Sequence, residues 1–107
     1  MANDRYTYRV TWSPEDGEYV GVCAEFPSLS WLEEDPDQAF RGIRRLVRRV
    51  IADMKANGES IPEPLAAKTY SGKFQVRTTP DVHRKLAIEA AEAGVSLNRL
   101  INSKLTG

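Results

Sequence analysis

No apolar run in this chain of 107 residues approaches the roughly 18 to 20 residues that span a bilayer. Its first residues, MANDRYTYRV, lack the basic stretch and apolar run of an export signal. Neither insertion nor secretion is expected, and the expected location is the cytoplasm. A single cysteine, Cys23, excludes an intrachain disulfide and fits a reducing compartment, with the side chain read as a small buried strand residue. The single histidine, His83, lies beside Arg84 and Lys85 with no serine or cysteine motif around it, so it reads as solvated or phosphate-facing rather than catalytic. The Tyr6 to Trp12 run holds no acid, whereas a metal-dependent nuclease needs carboxylates converging on its ions, one of them on a central strand. Asp16 and Glu18 flank a turn, and Glu33, Glu34 and Asp35 precede a helix start that favours acids electrostatically. No catalytic residue, metal, cofactor or small-molecule substrate is expected, and there is no internal repeat or low-complexity tract.

What is present is unevenly distributed charge. Fifteen basic and fifteen acidic residues cancel over the whole chain. Residues 1–35, however, carry eight acids against Arg5 and Arg9, a net of −6. Residues 36–70 carry seven bases against four acids and residues 71–107 six against three, each a net of +3. Such asymmetry predicts different partners for different parts, with a polyanion for the basic ones.

Tyr6, Tyr8, Val10 and Trp12 alternate with polar residues at the period of a half-buried strand. Pro14 and Asp16-Gly17 supply a turn, Glu18 to Phe26 alternates again, and the two runs predict an antiparallel hairpin. Leu29 to Leu32 predicts a third strand. Asp35 or Asp37 then caps a helix with Pro36 in its first turn. Phe40, Ile43, Leu46, Val47, Val50, Ile51 and Met54 recur at helical spacing, and Asn57-Gly58 with prolines 62 and 64 ends the helix. Arg41, Arg44, Arg45, Arg48 and Arg49 fall off this stripe. They form either a solvated face, neutralised by the acidic strands or a neighbouring subunit, or a surface for an acidic partner or additional nucleic acid. Trp12 and Trp31 fit either core packing or a protein interface. Residues 65–71 read as a connector, with a short strand possible at Ala66 to Tyr70.

The tail begins with GKFQVRTTP. In a strand, Lys73, Gln75 and Arg77 point to one face and Phe74 and Val76 to the other. Thr79 caps a helix with Pro80 at its first position and Asp81 beside the positive end of the dipole. Gly94 ends that helix, and Ser96 caps another bearing Leu97, Leu100, Ile101 and Leu105. One strand and two short helices cannot bury a core, and a lone strand leaves its edge unpaired. A second copy is therefore expected, with the strands paired antiparallel. Phe74, Val76, Leu86, Leu97, Leu100 and Ile101 then form the dimer core, and Lys73, Gln75 and Arg77 face outward. A two-stranded ribbon fits the major groove, where arginine or lysine reads guanine and glutamine reads adenine.

GKFQVRTTPDVHRKLAIEAAEAGVSLNRLINSKL resembles a ribbon-helix-helix DNA-binding domain of the Arc and MetJ type. The resemblance implies base contacts from Lys73, Gln75 and Arg77, and a phosphate clamp by Val95, Ser96 and Leu97 at the start of the second helix, consistent with the anion affinity of helix N-termini. YTYRVTWSPEDGEYVGVCAEFPSLS, followed by a helix and GESIPEP, is similar to the HicB antitoxin domain, a small three-stranded sheet with one helix resembling a truncated RNase H fold. Together these resemblances imply a toxin-antitoxin regulator whose front domain binds a HicA-like ribonuclease toxin and whose tail binds the operator of its own genes. The expected protein is α+β: a β-β-β-α domain over residues 1–64, a connector over 65–71, and a dimeric ribbon-helix-helix module over 72–107. Its expected partners are operator DNA, a second copy with the possibility of a tetramer, and a toxin, with no membrane. An orphan DNA-binding regulator without a toxin and a module that only sequesters a protein partner are the alternatives.

Overall fold

A computed structural model describes residues 4–107; residues 1–3, part of the expected front domain, lie outside the described residues. The architecture is α+β, with three antiparallel strands and three α-helices. The chain divides into two compact units, one through Tyr70 and one from Ser71 to Gly107.

In the first unit, β1 (Tyr8–Ser13), β2 (Glu18–Cys23) and β3 (Ser30–Glu33) form a sheet in the order β1-β2-β3. Tyr8 pairs with Cys23 and Ser13 with Glu18, while Gly21 pairs with both Val10 and Trp31. The hairpin turn uses Gly17 at φ 64°, a left-handed conformation that glycine adopts without a Cβ clash. Gly17 N donates to Ser13 O at 2.9 Å. The expected second strand ran to Phe26. It stops at Cys23 because Phe26 N turns back to Cys23 O at 3.1 Å, which drops the Phe26 ring into the core.

Helix α1 (Pro36–Ala56) covers one face of the sheet. Of the two candidate caps, Asp35 performs the role, accepting from Gln38 N at 3.0 Å. At the other end Asn57 N and Glu59 N return to Asp53 O and Met54 O, with Gly58 at φ 71°. Cys23, Phe26, Ile43 and Val47 form the buried cluster, ringed by Tyr6, Tyr8, Leu29, Trp31, Leu46, Val50, Ile51 and Met54. Two glycines set the helix-to-sheet distance. A Cβ on Gly21 would lie 2.7 Å from Ala39 O, and one on Gly42 would fall among the ring atoms of Trp31. Trp31 is thus packed on the helix, its Nε1 donating to Glu33 Oε2 at 2.9 Å.

The chain after α1 is tied back to the sheet. Tyr6 Oη donates to Pro62 O at 2.7 Å, and Leu65 N donates to Glu25 Oε2 at 2.8 Å. The short strand that the sequence leaves open at Ala66 to Tyr70 is absent. A single 3-10 turn occupies Leu65–Ala67, closed by Ala67 N to Pro64 O at 3.0 Å and Lys68 N to Leu65 O at 3.3 Å. These local bonds take up the backbone groups that a sheet ladder would use.

In the second unit, α2 (Pro80–Ala93) and α3 (Leu97–Thr106) pack on each other. Glu89 and Lys104 bridge them at 3.1 Å. Ala90 alone is buried among the residues of these two helices.

Candidate nucleic-acid interface

The segment Gly72 to Thr79 leads into α2. In a single chain it forms no hydrogen-bonded strand and is exposed along its whole length. Gly72 turns the chain at φ 84°, and Ser71 Oγ accepts from Lys73 N at 3.0 Å. A strand is defined by its ladder, and the sequence expectation of a strand here concerns pairing with a second copy, not one chain by itself. Phe74 is 76% exposed and Val76 71%. Two large apolar side chains on either side of Gln75 are thus open to water, between Lys73 and Arg77. Neither Lys73 nor Arg77 has a carboxylate within 4.0 Å among the described residues.

The helix ends are built as the local sequence dictates. Thr79 Oγ1 accepts from Val82 N at 3.3 Å, and Asp81 in the first turn pairs with Arg84 at 2.9 Å. Gly94 adopts φ 70° and ends α2, after which Ser96 Oγ accepts from Arg99 N at 3.0 Å. Of the residues expected to clamp phosphate, Val95 already donates its amide to Ala90 O at 3.0 Å. The amides of Ser96 and Leu97 have no acceptor among the described residues. Those two point the positive end of α3 at solvent, where a helix start attracts anions.

Of the expected dimer core, Leu86, Leu97, Leu100 and Ile101 are half-buried in the single chain, while Phe74 and Val76 are exposed. Val82, Ile88 and Leu105 are also exposed. One copy of this unit therefore shows an apolar surface that its two helices leave uncovered.

Residues 56–105 match the model of the HicB family. The likeness is to that family over those residues. It covers just under half of the chain, from the end of α1 through nearly all of α3, so the HicB-like region includes the connector, the Lys73 to Arg77 segment and both tail helices. The sheet and most of α1, where the sequence resemblance to a HicB antitoxin domain was drawn, lie outside the matched residues. No curated protein and no solved structure matches the chain.

Sequence reasoning passed over Glu25. Its carboxylate accepts from Thr7 N at 2.9 Å, Thr7 Oγ1 at 3.1 Å, Cys23 Sγ at 3.4 Å and Leu65 N at 2.8 Å. Burial on its own raises the acid, but the amide bonds from Leu65 and Thr7 outweigh it and hold the carboxyl down at about 2. Burial also pushes the Cys23 thiol up to about 11, which leaves it in its unreactive protonated form. No signal in the sequence marks Glu25, because its amide donors come from residues 7 and 65. Among the described residues no group of three or more His, Cys, Asp or Glu side chains is placed to hold a metal ion, and no helix is long and apolar enough to cross a membrane.

Proposed function

We propose that this chain is a HicB-like antitoxin and a transcriptional repressor of its own genes, with a tail that dimerises to read operator DNA and a front unit that receives a ribonuclease toxin. The observation that carries the reading is the conjunction, inside the HicB-matched residues, of an alternating segment with exposed Phe74 and Val76 and unpaired Lys73 and Arg77. Pairing two such segments buries the apolar side chains and presents two copies of Lys73, Gln75 and Arg77 to the major groove. The free Ser96 and Leu97 amides then grip the flanking phosphates. No catalytic step belongs to this reading, and the location it implies is the cytoplasm.

A mobility-shift titration against the gene's own upstream region, at two salt concentrations, tests it. The expected result is specific, salt-sensitive binding that the Lys73→Ala/Arg77→Ala variant loses. Absence of binding by a folded dimer would refute the repressor reading and leave the module that only sequesters a protein. The match stops short of the sheet, which favours the orphan regulator as the second reading. Co-purification with the product of an adjacent small gene separates the two.

A further inference from the structure

Helix α1 carries an unneutralised arginine face that the proposed function does not use. At 3.6 residues per turn, Arg41, Arg45, Arg48 and Arg49 fall within an arc of about 100°. The fully buried Ile43 and Val47 lie on the opposite side. All four arginines are exposed, and none has a carboxylate within 4.0 Å among the described residues. Arg44, on the flank, differs in being bonded to Asp4 at 3.0 Å; it lies over the Phe40 ring as Arg45 lies over that of Trp31.

The unit is rich in acids, and five of them are engaged elsewhere. Asp4 takes Arg44, Asp16 accepts from Ser13, Glu25 holds Thr7 and Leu65, Glu33 accepts from Trp31, and Asp35 caps α1. Asp37 and Asp53, on the same helix, form no ion pair with these arginines. No acid of the unit therefore forms a direct ion pair with this face among the described residues.

Composition favours nucleic acid over an acidic protein. Protein interfaces are anchored by apolar or aromatic side chains at their centre, and none of the exposed large apolar residues lies in this arc. Interfaces with DNA are polar and strongly cationic, and arginine grips phosphate bidentately. From Arg41 to Arg49 the helix rises about 12 Å, roughly the axial length of three to four nucleotides in one strand of a duplex. A rigid row of cations of that length suits an evenly spaced phosphate array.

We propose that the Arg41, Arg45, Arg48 and Arg49 face of α1 is a second DNA contact that binds the phosphodiester backbone of a duplex without reading its sequence.

The test uses the full-length chain and a labelled duplex of arbitrary sequence, titrated over a range of salt. To separate this contact from the tail, it is run in the wild type and in Lys73→Ala/Gln75→Ala/Arg77→Ala. Adding Arg41→Gln, Arg45→Gln, Arg48→Gln and Arg49→Gln to either background is expected to weaken binding on the order of tenfold or more. The slope of log affinity against log salt should flatten by about 0.9 for each phosphate released, up to four. Lysine at the same four positions should restore most of the slope, which a misfolded α1 would not. An unchanged slope in the glutamine variants, with circular dichroism unaltered, would overturn the inference, as would failure of both the wild type and the tail variant to bind the duplex. If the wild type does not prefer its own upstream region but loses arbitrary-duplex binding with the glutamine set, the α1 contact stands and the repressor reading falls.

Discussion

Leu65 N donates to the Glu25 carboxylate at 2.8 Å across 40 positions of sequence. One side chain thereby joins the turn after β2, Thr7 before β1, and the segment that leaves α1. The clamp is a set of hydrogen bonds to a charged acceptor, and its consequence can be read from acid titration.

The Glu25 carboxyl is lowered from 4.5 to about 2. A depressed acid stabilises the fold above its unfolded value, and this contribution is lost as pH falls through the folded one. The stability difference between wild type and Glu25→Gln, measured by urea unfolding, should be present at pH 7 and shrink between about 4.5 and 2. After discounting for solvent screening its size is about 1 kcal/mol. A difference independent of pH would show that the charge is irrelevant.

Gly42→Ala should destabilise the first unit, although alanine is favoured over glycine in a helix by about 1 kcal/mol. The added methyl would occupy the place of the Trp31 ring, and overpacking of this kind costs about 1–3 kcal/mol. Thermal denaturation is expected to show a lower Tm. A higher one would mean that propensity decides at this position.

Phe74→Asp/Val76→Asp should leave the chain folded in its first unit and monomeric. Both side chains are already in water in a single copy, so the charges cost little until two copies meet. Sedimentation equilibrium gives the mass; an unchanged dimer would remove the paired-strand arrangement from consideration.

Arg77→Ala should weaken operator binding by about 1–3 kcal/mol and relax preference at one base pair in each half-site. The comparison is between operators substituted base by base. Uniform weakening across all of them would make Arg77 a phosphate contact instead.

The parts of the fold that were legible in the sequence are those decided within a few residues. Asp35, Thr79 and Ser96 cap the next helix through amides three positions on, and Gly94 and Asn57 stop helices where the periodic apolar residues end. Gly42 was visible as a glycine inside a helix, but its reason, the Trp31 ring, comes from another element. The short strand left open at Ala66 to Tyr70 does not form, because the connector closes amides locally in a 3-10 turn instead of joining a ladder. Lys73 to Arg77 shows the same limit from the other side: its pattern describes a surface whose form depends on what it pairs with. For the candidate site, Lys73, Gln75 and Arg77 were singled out by alternation and Val95, Ser96 and Leu97 by the family resemblance, while the arginine face was seen and left open, because only coordinates show which acids it meets.

Because Ala90 alone is buried between the two tail helices of one copy, the proposed dimer would supply most of the stability of that unit. On the proposed reading its folding is second-order, so dilution unfolds it and abundance restores it. A repressor made this way would measure its own copy number. The fraction able to occupy the operator would fall faster than the amount of chain as synthesis slowed, and expression would resume before the protein was exhausted.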